Sequence, residues 1–302
     1  MCNFKKKKNM ARTVEEGFET LIGWLSPLIS EREKSTSHKS SVNSCLASNF
    51  NCTNLFETGS FGNGTGVRHF SDTDYFAVIP SDKLHDNSAT ALRLVKEALQ
   101  STFIRTDGIV VSCPAVKIPF GTYKSEEMEI TPCCYNGLVT TILGNFRKYQ
   151  IPDCSSGWMF SSPKAHNEYV ESHDKRLNRK LKPLIQLIKA WKYFNDVPIM
   201  SFYLELRVTK YAETESSIVY DIDIKNILKL LNDNGLASIR DPMGISGLIP
   251  SSKTTAQKET ALSKLNTAAT RAEKALDARN SGKIDDAFYW WNLLFNDKFP
   301  FR

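Results

Sequence analysis

The stretch GSFGNGTGVRHFSDTDYFAVIP, residues 59–80, decides the fold. Its first eight residues place four glycines in a turn, and its end, SDTDYFAVIP (71–80), is a run of strand formers that stops at Pro80. Residues two apart on a strand project from one face, so Asp72 and Asp74 aim two carboxylates at one point. Like charges held that close repel unless a cation lies between them. Hard oxygen donors with no His or Cys beside them suit Mg²⁺. The glycines let backbone N–H groups approach an anion, and Ser60 adds a hydroxyl. A phosphate-binding turn followed by a carboxylate pair on an apolar strand is what metal-dependent phosphoryl or nucleotidyl transfer requires. Singly, a DxD pair or a glycine-rich turn is commonplace; the combination carries the reading. The stretch is not a Walker loop, because no Lys follows, nor a GxGxxG dinucleotide turn, because a strand rather than a helix comes next.

A third carboxylate would complete a two-metal site. EEMEITPCC (126–134) offers Glu126, Glu127 and Glu129 on one candidate strand. Glu127 and Glu129 share a face, and Glu129, between Met128 and Ile130, is the best placed. Around this centre, GIVVSCPAVKIPF (108–120) reads as another β run and 88–104 as a helix with a Ser start signal. One helix among several short strands indicates an α+β sheet domain. Residues 13–33 have the apolar spacing of an amphipathic helix, with Pro27 as a kink. Past about 160 the chain turns helical. Residues 168–195 hold a long segment with its apolar stripe on Leu177, Leu181, Leu184, Ile188, Trp191 and Phe194. Helices are also expected over 201–211 and 222–235, the latter stopped by Gly235, and as a packed pair over 254–295 with a break at 281–283.

Composition bounds the alternatives. The 302 residues are 41% hydrophobic and 24% charged, ordinary globular values that exclude a mostly disordered chain. No apolar run approaches the length of a membrane span, so no membrane partner is expected. Seven cysteines with no framework spacing are not a secreted disulfide scaffold, and no CxxC or HExxH zinc pattern occurs. Cys133 and Cys134 point to opposite faces of a strand and read as small buried hydrophobes. The basic run Lys5 to Lys8 has no apolar segment after it and is not a signal peptide, so the expected compartment is a reducing cytoplasm. The net charge is +6. Residues 164–192 carry eight basic against three acidic residues, which concentrates most of that surplus on one segment and points to anionic partners there.

Gly59-Ser60, then Asp72-x-Asp74, then Glu129-Ile-Thr-Pro132 resembles the DNA polymerase β-like nucleotidyltransferases. The downstream half, SPKAHNEYVESHDKRLNRKLKPLIQLIKAWK (162–192) with MSFYLEL (200–206), is similar to the CD-NTases, bacterial relatives of cyclic GMP–AMP synthase and 2′-5′-oligoadenylate synthetase. These are the second-messenger oligonucleotide or dinucleotide synthetases. GKIDDAFYWWNLLFNDKFP (282–300) is similar to their C-terminal helices, so the resemblance covers nearly the whole chain from about residue 12.

The resemblance implies an α+β, bilobed polymerase β-like fold. Its parts would be an N-terminal helical segment (1–50) packed across both lobes, a mixed-sheet catalytic palm (51–155) and a C-terminal helical lobe (156–302), with nucleotides in the cleft. It implies that Asp72, Asp74 and Glu129 are catalytic and hold two Mg²⁺ ions, with Mn²⁺ as a substitute; Glu129 sits where most relatives carry Asp. It implies nucleotide binding by Gly59, Ser60, Lys189, Ser201 and Phe202, the last stacking on a base. The same three later residues also fit plainer roles: Lys189 a solvated helix lysine, Ser201 a helix N-cap, Phe202 a core residue. The implied activity is template-independent joining of nucleoside triphosphates (ATP, GTP or pyrimidine NTPs) into a cyclic di- or trinucleotide, with release of pyrophosphate. The implied setting is bacterial CBASS-type anti-phage signalling through an effector gated by the product, in a monomer needing no DNA. An RNA 3′-end nucleotidyltransferase and a non-catalytic nucleotide-binding module are the competing readings.

Overall fold

The structure, a computed structural model, describes residues 11–26, 37–70, 73–121 and 126–302. Lys5 to Lys8, Pro27 and Asp72 lie outside these residues. The chain is α+β and divides into two compact units, one of Met1–Ser26, Leu177–Ile239 and Pro250–Arg302, the other of Pro27–Arg176 and Arg240–Ile249. Residues 163–176 group with the sheet because Ser162 Oγ donates to the Arg147 carbonyl at 2.8 Å, tying the start of that helix to a strand.

The sheet unit holds helices α2 (Lys39–Phe50), α3 (Gly59–Asn63), α4 (Ser88–Thr102) and α5 (Pro163–Arg176). Its strands are β1 (Asn54–Glu57), β2 (Thr73–Val78), β3 (Val110–Ser112), β4 (Ala115–Phe120), β5 (Glu126–Thr141), β6 (Gly144–Pro152) and β7 (Trp158–Ser161). Seven strands form one mixed sheet in the order β1-β2-β5-β4-β3, with β6 on β5 and β7 on β6. Among the described residues β2 and β5 pair in parallel and the other strand pairs of this sheet are antiparallel. Alternation along β2 assigns its faces. Tyr75 and Ala77 join Val116, Ile118, Met128 and Ile130 under Val42, Leu46, Leu92, Val95 and Leu99 of α2 and α4. Asp74 and Phe76, one residue out of phase, belong to the opposite face, where Phe76, Cys133, Tyr149 and Ile151 make a second, smaller cluster.

Three sequence expectations change here. The glycine-rich turn begins as a short helix, α3, before it ends at Gly64 in the left-handed region (φ +71°). The 108–120 run is two strands about a tight connection at Cys113-Pro114. That connection is joined to the β6–β7 loop by a Cys113–Cys154 disulfide, whose partners lie 41 residues apart and so leave no spacing signature. Cys133 and Cys134 are buried, as expected of small hydrophobes.

The helical unit comprises α1 (Val14–Leu25), α6 (Leu181–Phe194), α7 (Ser201–Ala212), α8 (Tyr220–Asp233), α9 (Thr255–Asn280) and α10 (Ile284–Leu294). The long segment over 168–195 is two helices, α5 and α6, and they belong to different units. The apolar stripe runs through the break, but Asn178 (φ +54°) and Arg179 (φ +63°) take left-handed backbone that a helix cannot contain. Thr13 and Glu16 close a capping box at the start of α1. Ala261, Leu265, Ala268, Ala272 and Ala275 form a buried stripe on α9, small enough for α8 and α10 to pack closely. Phe18 of α1 meets Trp291 and Phe299 edge-on, each at 5.0 Å between ring centroids. The break at 281–283 and the stop at Gly235 (φ +59°) fall where the sequence places them.

Candidate active site

Each carboxylate of the site is set by strand register. In the parallel β2–β5 pair Asp74 lies opposite Glu129, and in the antiparallel β4–β5 pair Glu129 lies opposite Lys117. Three adjacent strands, each roughly 4.8 Å from the next, therefore present Asp74, Glu129 and Lys117 in one row. Glu127, two residues up β5, shares the face. Lys117 Nζ sits between the two glutamates, 2.8 Å from Glu127 Oε1 and 2.5 Å from Glu129 Oε1. All three side chains are half-buried. Of Glu126 only the backbone is described.

The glycine turn is built against this row. Thr58 N–H donates to the Asp74 carbonyl at 2.8 Å, so the end of β1 and the start of β2 are held together at the acid. Gly59 follows in the left-handed region (φ +62°), and a Cβ there would lie 1.9 Å from Asp74 Oδ2. Gly59 is thus required twice, for its backbone conformation and for the space the carboxylate occupies. Half-buried Ser60 is the second residue of α3. Gly62, one turn on, faces the α5 side chain of Asn167, with 3.9 Å between its Cβ position and Nδ2.

On α5 the buried His166 meets Asp241, with Nε2 3.1 Å from Oδ1 and 3.0 Å from Oδ2. Asp241 also accepts the N–H groups of Met243, Ile245 and Ser246. Burial pushes the Asp241 carboxyl up, but the His166 contact and these N–H donors outweigh it and hold the carboxyl well below the usual range.

The other three expected site residues lie in the helical unit. Lys189 is 1% exposed on α6, 3.6 Å from Glu205 Oε2, so it is not a solvated helix lysine. Ser201 is the first residue of α7, whose N-cap is Met200, so it is not the cap. Its Oγ accepts from Lys192 Nζ at 2.7 Å and is 3.0 Å from the Tyr193 hydroxyl. Phe202 is 37% exposed and is not a core residue. Lys117, Tyr193, His166 and Asp241 escaped the sequence reading, and Lys192 counted there only toward the basic surplus over 164–192. Only Lys117 had a signal, a lone charge inside the apolar strand AVKIPF.

Among the described residues no three His, Cys, Asp or Glu side chains are grouped to hold a metal. The donors present nonetheless fit a divalent cation. Asp74 and Glu129 are hard oxygen donors in register on neighbouring strands, and Asp72 is two residues from Asp74 in sequence.

Residues 13–173, just over half of the chain, match the Second Messenger Oligonucleotide or Dinucleotide Synthetase domain, SMODS. The chain belongs to the SMODS family. The cyclic AMP-AMP-AMP synthase of an Acinetobacter species is 25% identical over 264 residues, which are 81% of this chain and 72% of that protein. E. coli MS115-1 CdnC, solved with ATP, superposes with a TM-score of 0.73 at 14% identity, over 94% of this chain and 98% of CdnC. Vibrio cholerae DncV cyclic AMP-GMP synthase, solved with the linear intermediate 5′ pppA(3′,5′)pG, gives 0.62 at 16% identity, over 94% and 86%. This SMODS chain is thus a CD-NTase, a nucleotidyltransferase of the cyclic nucleotide synthases, and has their α+β fold. No described helix is long and apolar enough to cross a membrane.

Proposed function

We propose that this chain is a template-independent, Mg²⁺-dependent nucleotidyltransferase that makes a cyclic di- or trinucleotide from nucleoside triphosphates. The observation that carries the reading is the register of Asp74 with Glu129 beside a glycine turn that only glycine can fill. Asp72, Asp74 and Glu129 would hold two Mg²⁺ ions, with Mn²⁺ as substitute. When bound, such ions offset the negative charge of the triphosphate and make an acceptor hydroxyl more acidic.

The protein's own groups do the rest. Gly59 and Ser60 bring backbone N–H groups and a hydroxyl to the donor triphosphate; Ser201 adds a second hydroxyl, and Lys189, buried against Glu205, would serve as a phosphate cation only on being uncovered when the nucleotide binds. Phe202 offers a ring face to a base. A ribose hydroxyl of the acceptor attacks the donor's α-phosphorus, its proton passes to a carboxylate of the Asp72, Asp74 and Glu129 set, and pyrophosphate leaves. The linear product then closes, its free ribose hydroxyl attacking the α-phosphorus of its own triphosphate with loss of a further pyrophosphate, or first accepts a third unit by the same step. The Acinetobacter relative is named for a cyclic trinucleotide of AMP, which makes ATP the first substrate to try. We extend the proposal to anti-phage signalling, in which the product gates a downstream effector.

The test is incubation with ATP, GTP and pyrimidine NTPs in Mg²⁺ or Mn²⁺, then phosphatase treatment and mass spectrometry. A phosphatase-resistant cyclic product is expected, and Asp74→Asn should lower its rate by about 10³-fold or more, as for loss of a group that positions the transferring phosphoryl. Elongation of added RNA in place of a cyclic product would favour a tailing enzyme. Turnover that survives Asp74→Asn would sink the assignment of the site.

A further inference from the structure

We infer that Lys117 is a positioning residue for the metal-holding carboxylate Glu129, working as half of a neutral clasp with Glu127. This rests on the function proposed above. Glu has one more rotatable bond than Asp, so a glutamate used as a metal donor has more conformational freedom to lose when it binds. The structure shows what limits that freedom. Lys117 stands opposite Glu129 in the β4–β5 register and holds Oε1 at 2.5 Å, while Glu127, diagonal on the same face, holds the same ammonium at 2.8 Å. Lys117, Glu127 and Glu129 are each half-buried, so the contacts are partly shielded from water and salt.

An ammonium beside a cation site opposes binding of that cation, and an ordered carboxylate favours it. Glu127 decides between the two effects. It cancels the charge of Lys117, so the clasp adds no net charge near the donors, and the ordering of Glu129 is what remains. The clasp engages Oε1 of Glu129, and a carboxylate has two oxygens with which to accept.

Mn²⁺ alone serves as the probe, with its dissociation constant read from the electron paramagnetic resonance signal of free Mn²⁺ on the full chain. Lys117→Met should weaken Mn²⁺ binding about ten-fold, within the range for removing a group that orients a metal ligand. Lys117→Arg, which keeps the two contacts, should stay within about three-fold. In a Glu129→Asp background, Lys117→Met should change the constant less than about two-fold, because the shorter side chain has no slack to restrain. A lysine needed only for folding would give the same loss in both backgrounds. Glu127→Gln keeps the lysine, leaves its charge uncompensated and should weaken Mn²⁺ several-fold, which provides a second route should Lys117→Met fail to fold by its melting curve. Unchanged or tighter Mn²⁺ binding by Lys117→Met, or by Glu127→Gln if Lys117→Met does not fold, overturns the inference. Failure of the functional reading looks different: Mn²⁺ binding to the unaltered chain would then be insensitive to Asp74→Asn.

Discussion

At the scale of single residues the site depends on what Gly59 lacks. Its φ of +62° disfavours any side chain, and the space a Cβ would fill holds the Asp74 carboxylate 1.9 Å away. Gly59→Ala must therefore shift the turn or the acid. The expected outcome is a loss of about 100-fold or more in kcat, because a donor or acid displaced by an ångström costs that much. The accompanying stability loss should be only about 1–3 kcal/mol, from the strained backbone. Kinetics with ATP and a denaturant titration on the same variant check both numbers; a variant of normal kcat would mean that the turn and the acid do not act together. Much of this was legible. The spacing from Gly59 to Asp74 marked turn and strand, and flanking hydrophobes singled out Glu129. Lys117 was not, since nothing in a linear chain says which lysine stands opposite which strand residue.

At the scale of elements, the turn is held by what lies behind it. Helix α3 packs near α5, and α5 is fixed by Ser162 at its start and by the buried His166–Asp241 pair. Asp241→Asn removes the charge from that pair and leaves one accepting oxygen where two serve three N–H groups, and it should cost roughly 3–5 kcal/mol, the range for losing one partner of a buried ion pair. The pH dependence has a definite sign. The Asp241 carboxyl is held below its ordinary value in the folded chain, so its stabilisation is complete above the unfolded value of roughly 3.9 and is lost as pH falls through the lower folded value. Urea titrations between pH 3 and 7 should show that acid-side loss in the parent chain and a smaller one in Asp241→Asn. A variant as stable as the parent at pH 7 would refute the role given to the pair. The sequence marked neither partner, because 75 residues separate them and each looks like an ordinary polar residue of a helix or loop.

At the scale of the whole molecule, both units are assembled from segments distant in sequence. The helical unit joins its first helix to its last residues through Phe18, which touches Trp291, Phe295 and Phe299. Phe18→Ala should cost about 3–5 kcal/mol, the usual loss for truncating a buried aromatic ring, seen as a lower midpoint in guanidinium. An unchanged midpoint would mean that the contact between the chain's two ends adds little. The basic surplus over 164–192 also reads differently now. Its residues lie on α5, on α6 and, for Arg179 and Lys180, in the break between them, and one of them, Lys189, is buried against Glu205. The sequence by itself determined the α+β class and most helix limits, because period-two alternation and helical spacing are local properties. Only the tertiary structure decided which carboxylates and lysines stand in one row, where the long segment breaks, which cysteines pair and how the segments divide between units. Those outcomes depend on strand register and on packing between residues far apart in the chain, and no local spacing encodes them.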